Sequence, residues 1–352
     1  MKVLLISPKM EKSNGGIAVW TKIYLDECEK VGIMPTLVNT EAIGKRAIDG
    51  NARRSYFDEI VRTKRIFSAL KKALRSDAFD IVHINTSCGS LGLIRDYWTA
   101  RKAVKKQPKA KIVTHFHCDI PYQIRSKIAK KYLQKLLRLS NENLVLCENS
   151  RIYLQEEFSA ESIKVPNFVD EGLLSTVDFD NTTADKISKA FFVGRVSLAK
   201  GAKEIYEIAK RMPDITFELA GNVSAEVEVW QKPDNVQLLG LLSHDEVLKK
   251  MDGADIFFFP THSEGFSMAL AEAMSRGLPA VTTDVGANRD MIEEKGGIVT
   301  AVGDVDAMEA AISSLADKHI RAQMSKWSVS KVREFYLTRS VMNEFAEIYK
   351  KN

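Results

Sequence analysis

Short, unbroken apolar runs that alternate with amphipathic segments constrain this chain more than any other feature. Lys2–Pro8, Pro35–Asn39, Asp80–Asn85, Lys111–His117 and Asn143–Glu148 form one series. A second opens at Ala190–Gly194 and continues near 215–220, 235–240, 254–260, 279–284 and 297–300. A run without polar alternation suits a strand buried on both faces, and strands separated by helices pair in parallel. The expectation is an α/β protein of two Rossmann-like doubly wound domains with a cleft between them, ligands sitting at the carboxyl ends of the strands. The N-terminal domain is placed at 1–165 and the C-terminal domain at 166–330, with a helical segment at 331–352 packing back on the first domain. Residues 41–56 and Asp178–Lys186 read as polar loops.

The stretch from Ala254 to Met274 carries the densest chemistry. Its strand stops at Pro260, which has no N–H for the ladder. A polar turn follows, then a helix with Ser267 as N-cap and Met268, Leu270, Ala271 and Met274 on it. The free N–H groups at such a helix start attract anions. Glu264 and Glu272 bracket the turn and the helix, as carboxylates placed to accept hydrogen bonds from ligand hydroxyls. Phosphate at the helix tip with hydroxyls beside it describes a nucleotide sugar.

Other candidates lie at strand ends. Asn14-Gly15-Gly16-Ile17 follows the first strand and precedes a helix over about 18–30, an arrangement that lets backbone approach an anion. Neither a dinucleotide fingerprint nor a P-loop is present, and a plain tight turn fits Gly15-Gly16 equally well. His115 and His117 share a face of the fourth strand. They suit substrate hydrogen bonding or proton handling, or a structural role, and no further ligands beside them suggest a metal. Arg195 and Lys200 flank a turn after the first strand of the second series, where cations would neutralise a diphosphate leaving group.

At 352 residues, 45% apolar and 28% charged, the chain has the makeup of a soluble two-domain protein. No run reaches the roughly 20 apolar residues of a membrane span, and no signal peptide is read at the start. Cys28, Cys88, Cys118 and Cys147 are scattered, which fits a reducing, cytoplasmic compartment. The net charge of +5 hides an asymmetry: residues 1–165 carry 30 Lys+Arg against 17 Asp+Glu, and residues 166–352 carry 21 against 29. The basic half is suited to an anionic membrane surface or acceptor. Pro121–Ser140 reads as a basic amphipathic helix, either a seat on lipid or a core-facing helix with a charged outer side. Nucleic acid is disfavoured, since no reading helix or aromatic platform accompanies the charge.

Taken in order, Gly15-Gly16, His117, Pro166-Asn-Phe-Val-Asp170, Gly194-Arg195 to Lys200-Gly201, and Glu264-Gly-Phe-Ser-Met-Ala-Leu-Ala-Glu272 resemble the GT-B glycosyltransferases, specifically the retaining glycosyltransferase family 4. The resemblance spans nearly the whole chain. Phe168 stands where glycine is usual, and Asn222-Val223 where Asp-Gly is common. It implies a UDP- or GDP-sugar donor, no further cofactor and no metal. Glu272 would hold the ribose, while Arg195 and Lys200 would bind the diphosphate. Glu264 would bind the donor sugar, with Gly265, Phe266, Ser267, Met268 and Ala269 contacting sugar and phosphates. Gly16, beside Gly15, would approach the diphosphate and His117 the transferred sugar or acceptor. The implied acceptor is a glycan or lipid-linked molecule in cell-surface polysaccharide or glycolipid synthesis, met in the cytoplasm or peripherally on the inner membrane face. The alternative is a protein of this architecture that binds a nucleotide sugar without transferring it, epimerase-like or an inactive partner subunit.

Overall fold

The structure, a computed structural model, describes residues 1–9, 16–44, 55–182 and 184–351. Gly15 and residues 45–54 of the expected loop lie outside the described residues. The chain divides into two compact units, Met1–Phe168 with Thr338–Asn352, and Val169–Leu337.

The first unit begins with β1 (Lys2–Ser7), buried after its first residue. Helix α1 (Gly16–Glu27) follows, and its last turn tightens into a 3-10 segment at Cys28–Val31. Gly32 ends it with φ 75, its N–H reaching the carbonyls of Cys28 and Glu29. Then come β2 (Met34–Asn39), α2 (Tyr56–Ser76), β3 (Ile81–Thr86), α3 (Ser90–Lys106) and β4 (Lys111–Phe116). The expected basic helix at 121–140 is two pieces, α4 (Ile120–Gln123) and α5 (Lys127–Leu137), because Ser126 caps the second by accepting from the Ala129 N–H. Helix α5 buries Ala129, Leu133, Leu136 and Leu137 and turns its lysines outward. The unit continues with β5 (Glu142–Val145), α6 (Glu148–Phe158) and β6 (Ile163–Lys164). Its sheet is parallel throughout, ordered β2-β1-β3-β4-β5-β6. The order reverses between β1 and β3, so the crevice for a ligand opens beyond their carboxyl ends.

In the second unit, α7 (Phe179–Thr182) occupies part of the segment expected to be loop. Next are β7 (Lys189–Val193), α8 (Ala202–Arg211), β8 (Thr216–Ala220), α9 (Ala225–Glu228), β9 (Val236–Gly240), α10 (His244–Asp252), β10 (Ile256–Phe259) and α11 (Met268–Ser275). The unit closes with β11 (Ala280–Thr283), α12 (Asn288–Ile292), β12 (Gly297–Thr300), α13 (Val305–Ser314) and α14 (Lys318–Phe335). Ile256, Phe257, Phe258 and Phe259 are all buried, as a central strand covered on both faces requires. This sheet is also parallel, ordered β12-β11-β10-β7-β8-β9, and reverses between β10 and β7.

The helix expected over 331–350 is interrupted. Helix α14 stops at Phe335, Leu337 forms a parallel bridge with Val169, and α15 (Thr338–Lys350) starts anew in the first unit. There α15 buries Val341, Met342, Phe345 and Tyr349 beside Trp20, Tyr24 and Phe168. Phe168, which replaces the glycine usual at its position, fills this cluster 5.4 Å from the Trp20 ring.

Candidate active site

The second unit assembles its charged groups at the β7/β10 reversal. Beyond β7 a short 3-10 turn, Leu198–Lys200, ends at Gly201 with φ 80. A Cβ on Gly201 would lie 2.1 Å from the Pro260 carbonyl oxygen, so only glycine lets this turn press against the end of β10. The His262 N–H donates to Ala199 O at 3.0 Å and fixes the approach. Lys200 Nζ thereby reaches Glu264 Oε1, which also accepts from Thr261 Oγ1 at 3.2 Å. The Glu264 side chain is only 12% exposed and Lys200 30%, so the pair is partly desolvated. Arg195 stands exposed just past β7 and is not part of this pair. Asn222 and Val223 extend the ladder there, Asn222 O accepting from the Val196 N–H and Val223 bridging Val196.

Ser267, buried, caps α11 by accepting from the Leu270 N–H at 3.2 Å. The N–H groups of the preceding turn, at Met268 and Ala269, have no partner within the helix. Gly265 O accepts from the Ala287 N–H at 2.8 Å, and the Phe266 ring meets Tyr336 edge-on at 5.4 Å. Together these contacts hold the 264–267 turn. One turn into α11, Glu272 lies with Oε1 3.4 Å from His244 Nε2 on α10. Burial raises the Glu272 pKa, an effect that His244 opposes.

Two partners here escape sequence reasoning. His244 is the first residue of a helix held by a Ser243–Glu246 capping box, and nothing in its spacing points to Glu272. His262 Nε2 lies 2.9 Å from Oε1 of Glu204, a buried carboxylate on α8. A carboxylate on the apolar face of α8, beside Ile205 and Ile208, is the one signal that could have found it.

In the first unit, Gly16 opens α1, and a Cβ built on it would meet nothing within 4 Å. Among the described residues, neither packing nor backbone conformation demands glycine there. His117 follows β4, its N–H bonded to Thr86 O at 2.8 Å. The His115 and His117 rings are 4.0 Å apart and both lie against Trp20. Both His115 ring nitrogens, His117 Nε2 and Trp20 Nε1 are buried and find no hydrogen-bond partner among the described residues. Burial holds His83 and His117 down at about 3 and His115 well below its ordinary value, so all three are neutral near pH 7. Among the described residues, no group of three or more His, Cys, Asp or Glu is arranged to hold a metal ion.

Residues 176–328 match the family model of glycosyl transferases group 1. A phosphatidylinositol N-acetylglucosaminyltransferase subunit of Homo sapiens is 28% identical over 234 residues, a match covering 61% of this chain and 48% of that protein. The chain thus spans about half the length of that human relative. The UDP-Gal:alpha-D-GlcNAc-diphosphoundecaprenol alpha-1,3-galactosyltransferase of Escherichia coli is 23% identical over 334 residues, covering 86% of this chain and 79% of that protein. The crystal structure of HepE from Anabaena in complex with UDP and glucose superposes with a TM-score of 0.71 at 16% identity, covering 99% of each chain. The fold is GT-B, with a doubly wound parallel sheet in each unit.

Proposed function

We propose that the protein is a retaining glycosyltransferase that moves a hexose or related sugar from a UDP- or GDP-sugar to a glycan or lipid-linked acceptor. The observation that carries this reading is the Lys200–Glu264 pair at the β7/β10 reversal, beside the capped start of α11 and the part-buried Glu272. Glu272 binds the ribose hydroxyls, and Glu264 the hydroxyls of the donor sugar. Gly265, Phe266, Ser267, Met268 and Ala269 contribute backbone to sugar and phosphates, and Gly15 and Gly16 backbone to the diphosphate. Arg195 and Lys200 take up charge as the bond from the anomeric carbon to the diphosphate oxygen breaks. The acceptor hydroxyl then attacks from the face the diphosphate leaves, passing its proton to the departing oxygen, and configuration is retained. His117, held neutral, acts by hydrogen bonding beside the transferred sugar rather than as a cation.

The relatives' lipid-linked and glycolipid substrates support an acceptor of that class and a role in cell-surface polysaccharide or glycolipid synthesis. No helix among the described residues is long and apolar enough to cross a membrane. A peripheral seat on the inner membrane face from the cytoplasm, through the lysines of α5 and exposed Ile128, completes the proposal.

The test is a panel of UDP- and GDP-sugars incubated with and without glycan and polyprenyl-diphosphate-linked acceptors. Release of nucleoside diphosphate that depends on acceptor, with an α-linked product from an α-linked donor by NMR, is expected. Binding without transfer would leave the non-transferring alternative, and absence of binding to any donor would sink both. Sedimentation with anionic against neutral vesicles tests the membrane seat.

A further inference from the structure

In the second unit, two segments are laced together by more than the Lys200–Glu264 pair. One runs from the 198–200 turn into α8, and the other is the 260–264 turn beyond β10. The Pro260 carbonyl presses on Gly201, and the His262 N–H donates to Ala199 O at 3.0 Å. A further link joins His262 Nε2 to Glu204 Oε1 at 2.9 Å. A carboxylate only accepts, so the imidazole donates from Nε2. Glu204 stands four residues after Lys200, and His262 two before Glu264, so the two side-chain links tie the same segments.

Burial makes the Glu204 link a poor bargain for the fold. The Glu204 side chain is only 6% exposed, and its Oε2 is buried and finds no partner among the described residues. A carboxylate withdrawn from water with one oxygen unpartnered destabilises the native state. An apolar side chain of similar size, packed on α8 beside Ile205 and Ile208, would not. A polar group that breaks the rules of burial next to a site is expected where it serves the site.

The service follows from what a donor does to Lys200 and Glu264. In the transferase reading above, on which this inference rests, Lys200 turns to the diphosphate and Glu264 to the sugar hydroxyls. Their attraction to each other is then shared with the ligand. The His262–Glu204 link involves neither group and keeps its strength. We propose that Glu204 is a positioning residue which, through His262, holds the 260–264 turn on the 198–200 turn while Lys200 and Glu264 engage the donor.

The experiment compares Glu204→Leu, Glu204→Gln, His262→Phe and the Glu204→Leu, His262→Phe double variant with the wild-type protein. Turnover is measured per site titrated by calorimetry with UDP, or with GDP if that binds, alongside Tm. Glu204→Leu removes the buried carboxylate, so Tm should hold or rise. Its kcat should nevertheless fall about tenfold with nucleotide affinity within about twofold, since small displacements of positioned groups lower the rate steeply. His262→Phe should lower kcat as much and also lower Tm, because it leaves the Glu204 carboxylate unpaired. The double variant should regain Tm but be no faster or slower than Glu204→Leu, as both changes cut one link. Glu204→Gln keeps an acceptor for His262 and should recover most of the rate. Wild-type kcat per site in Glu204→Leu or in the double variant would overturn the role, and so would a Glu204→Gln no faster than Glu204→Leu. If the wild-type protein itself turns over no nucleotide sugar, the transferase reading fails first and this role with it.

Discussion

Lys200 Nζ donates to Glu264 Oε1, joining the residue assigned to the diphosphate to the residue assigned to the sugar. The two are therefore one electrostatic unit. Lys200→Ala and Arg195→Ala should each lower kcat by roughly a hundredfold or more if they stabilise the leaving group. Lys200→Ala and Glu264→Gln should also be non-additive with each other by about 1 kcal/mol in kcat/KM. A double-mutant cycle measures this, and strict additivity would dissolve the unit.

Glu272 tests the donor site through both binding and pH. Burial raises its carboxyl pKa, so the native state holds that proton more tightly than the unfolded chain does. The part-buried carboxylate thus costs stability above the unfolded value of about 4.3, and the cost fades as pH falls below it. Glu272→Gln should raise Tm at pH 7 and flatten its acid side, while weakening donor binding by about tenfold. Calorimetry against pH reads the first and titration with UDP-sugar the second. Donor affinity equal to wild type would remove Glu272 from the ribose.

Among the described residues, nothing lies within 4 Å of a Cβ built on Gly16. Gly16→Ala should leave Tm unchanged or slightly raised, since alanine favours helix over glycine by up to about 1 kcal/mol. Its kcat/KM should nevertheless fall at least tenfold if backbone there approaches the diphosphate. Wild-type kinetics in Gly16→Ala would mean that no ligand comes close.

The three buried histidines make the first unit sensitive to acid. Their folded pKa values lie far below the unfolded value of about 6.5, so the native state refuses protons that the unfolded chain accepts. Stability is fully present above about pH 6.5 and is lost as pH falls toward 3, by up to about 1.4 kcal/mol per pH unit for each histidine. His115→Phe should reduce that slope by one proton, measured as urea-unfolding free energy between pH 6.5 and 5. An unchanged slope would show that His115 titrates normally.

The strands were legible because each is a block of apolar residues ended by a turn, and most boundaries fall within two residues of expectation. The fifth is shorter than expected, since Leu146 and Cys147 are buried beyond the ladder rather than within it. Strand β6 was invisible, as two residues carry no period. The two interrupted helices were read as continuous because Ser126 and Leu337 break the backbone without breaking the amphipathic pattern. Glu264 and Lys200 declared themselves by their place after strands. His83 did not, because inside Ile81–Thr86 it looks like a strand residue until α15 brings Tyr349 against it. His244 and His262 were hidden for the same reason, each having its partner on a different element.

The bridge between Val169 and Leu337 means that the second unit leaves the chain where it enters it. Residues 169–337 form a closed cassette whose two ends lie side by side, spliced into the chain of the first unit. Such a cassette can be lifted out or exchanged for a homologous one with two cuts a single ladder rung apart, while α15 stays with the sheet it completes. The two units are then free to recombine as separate modules.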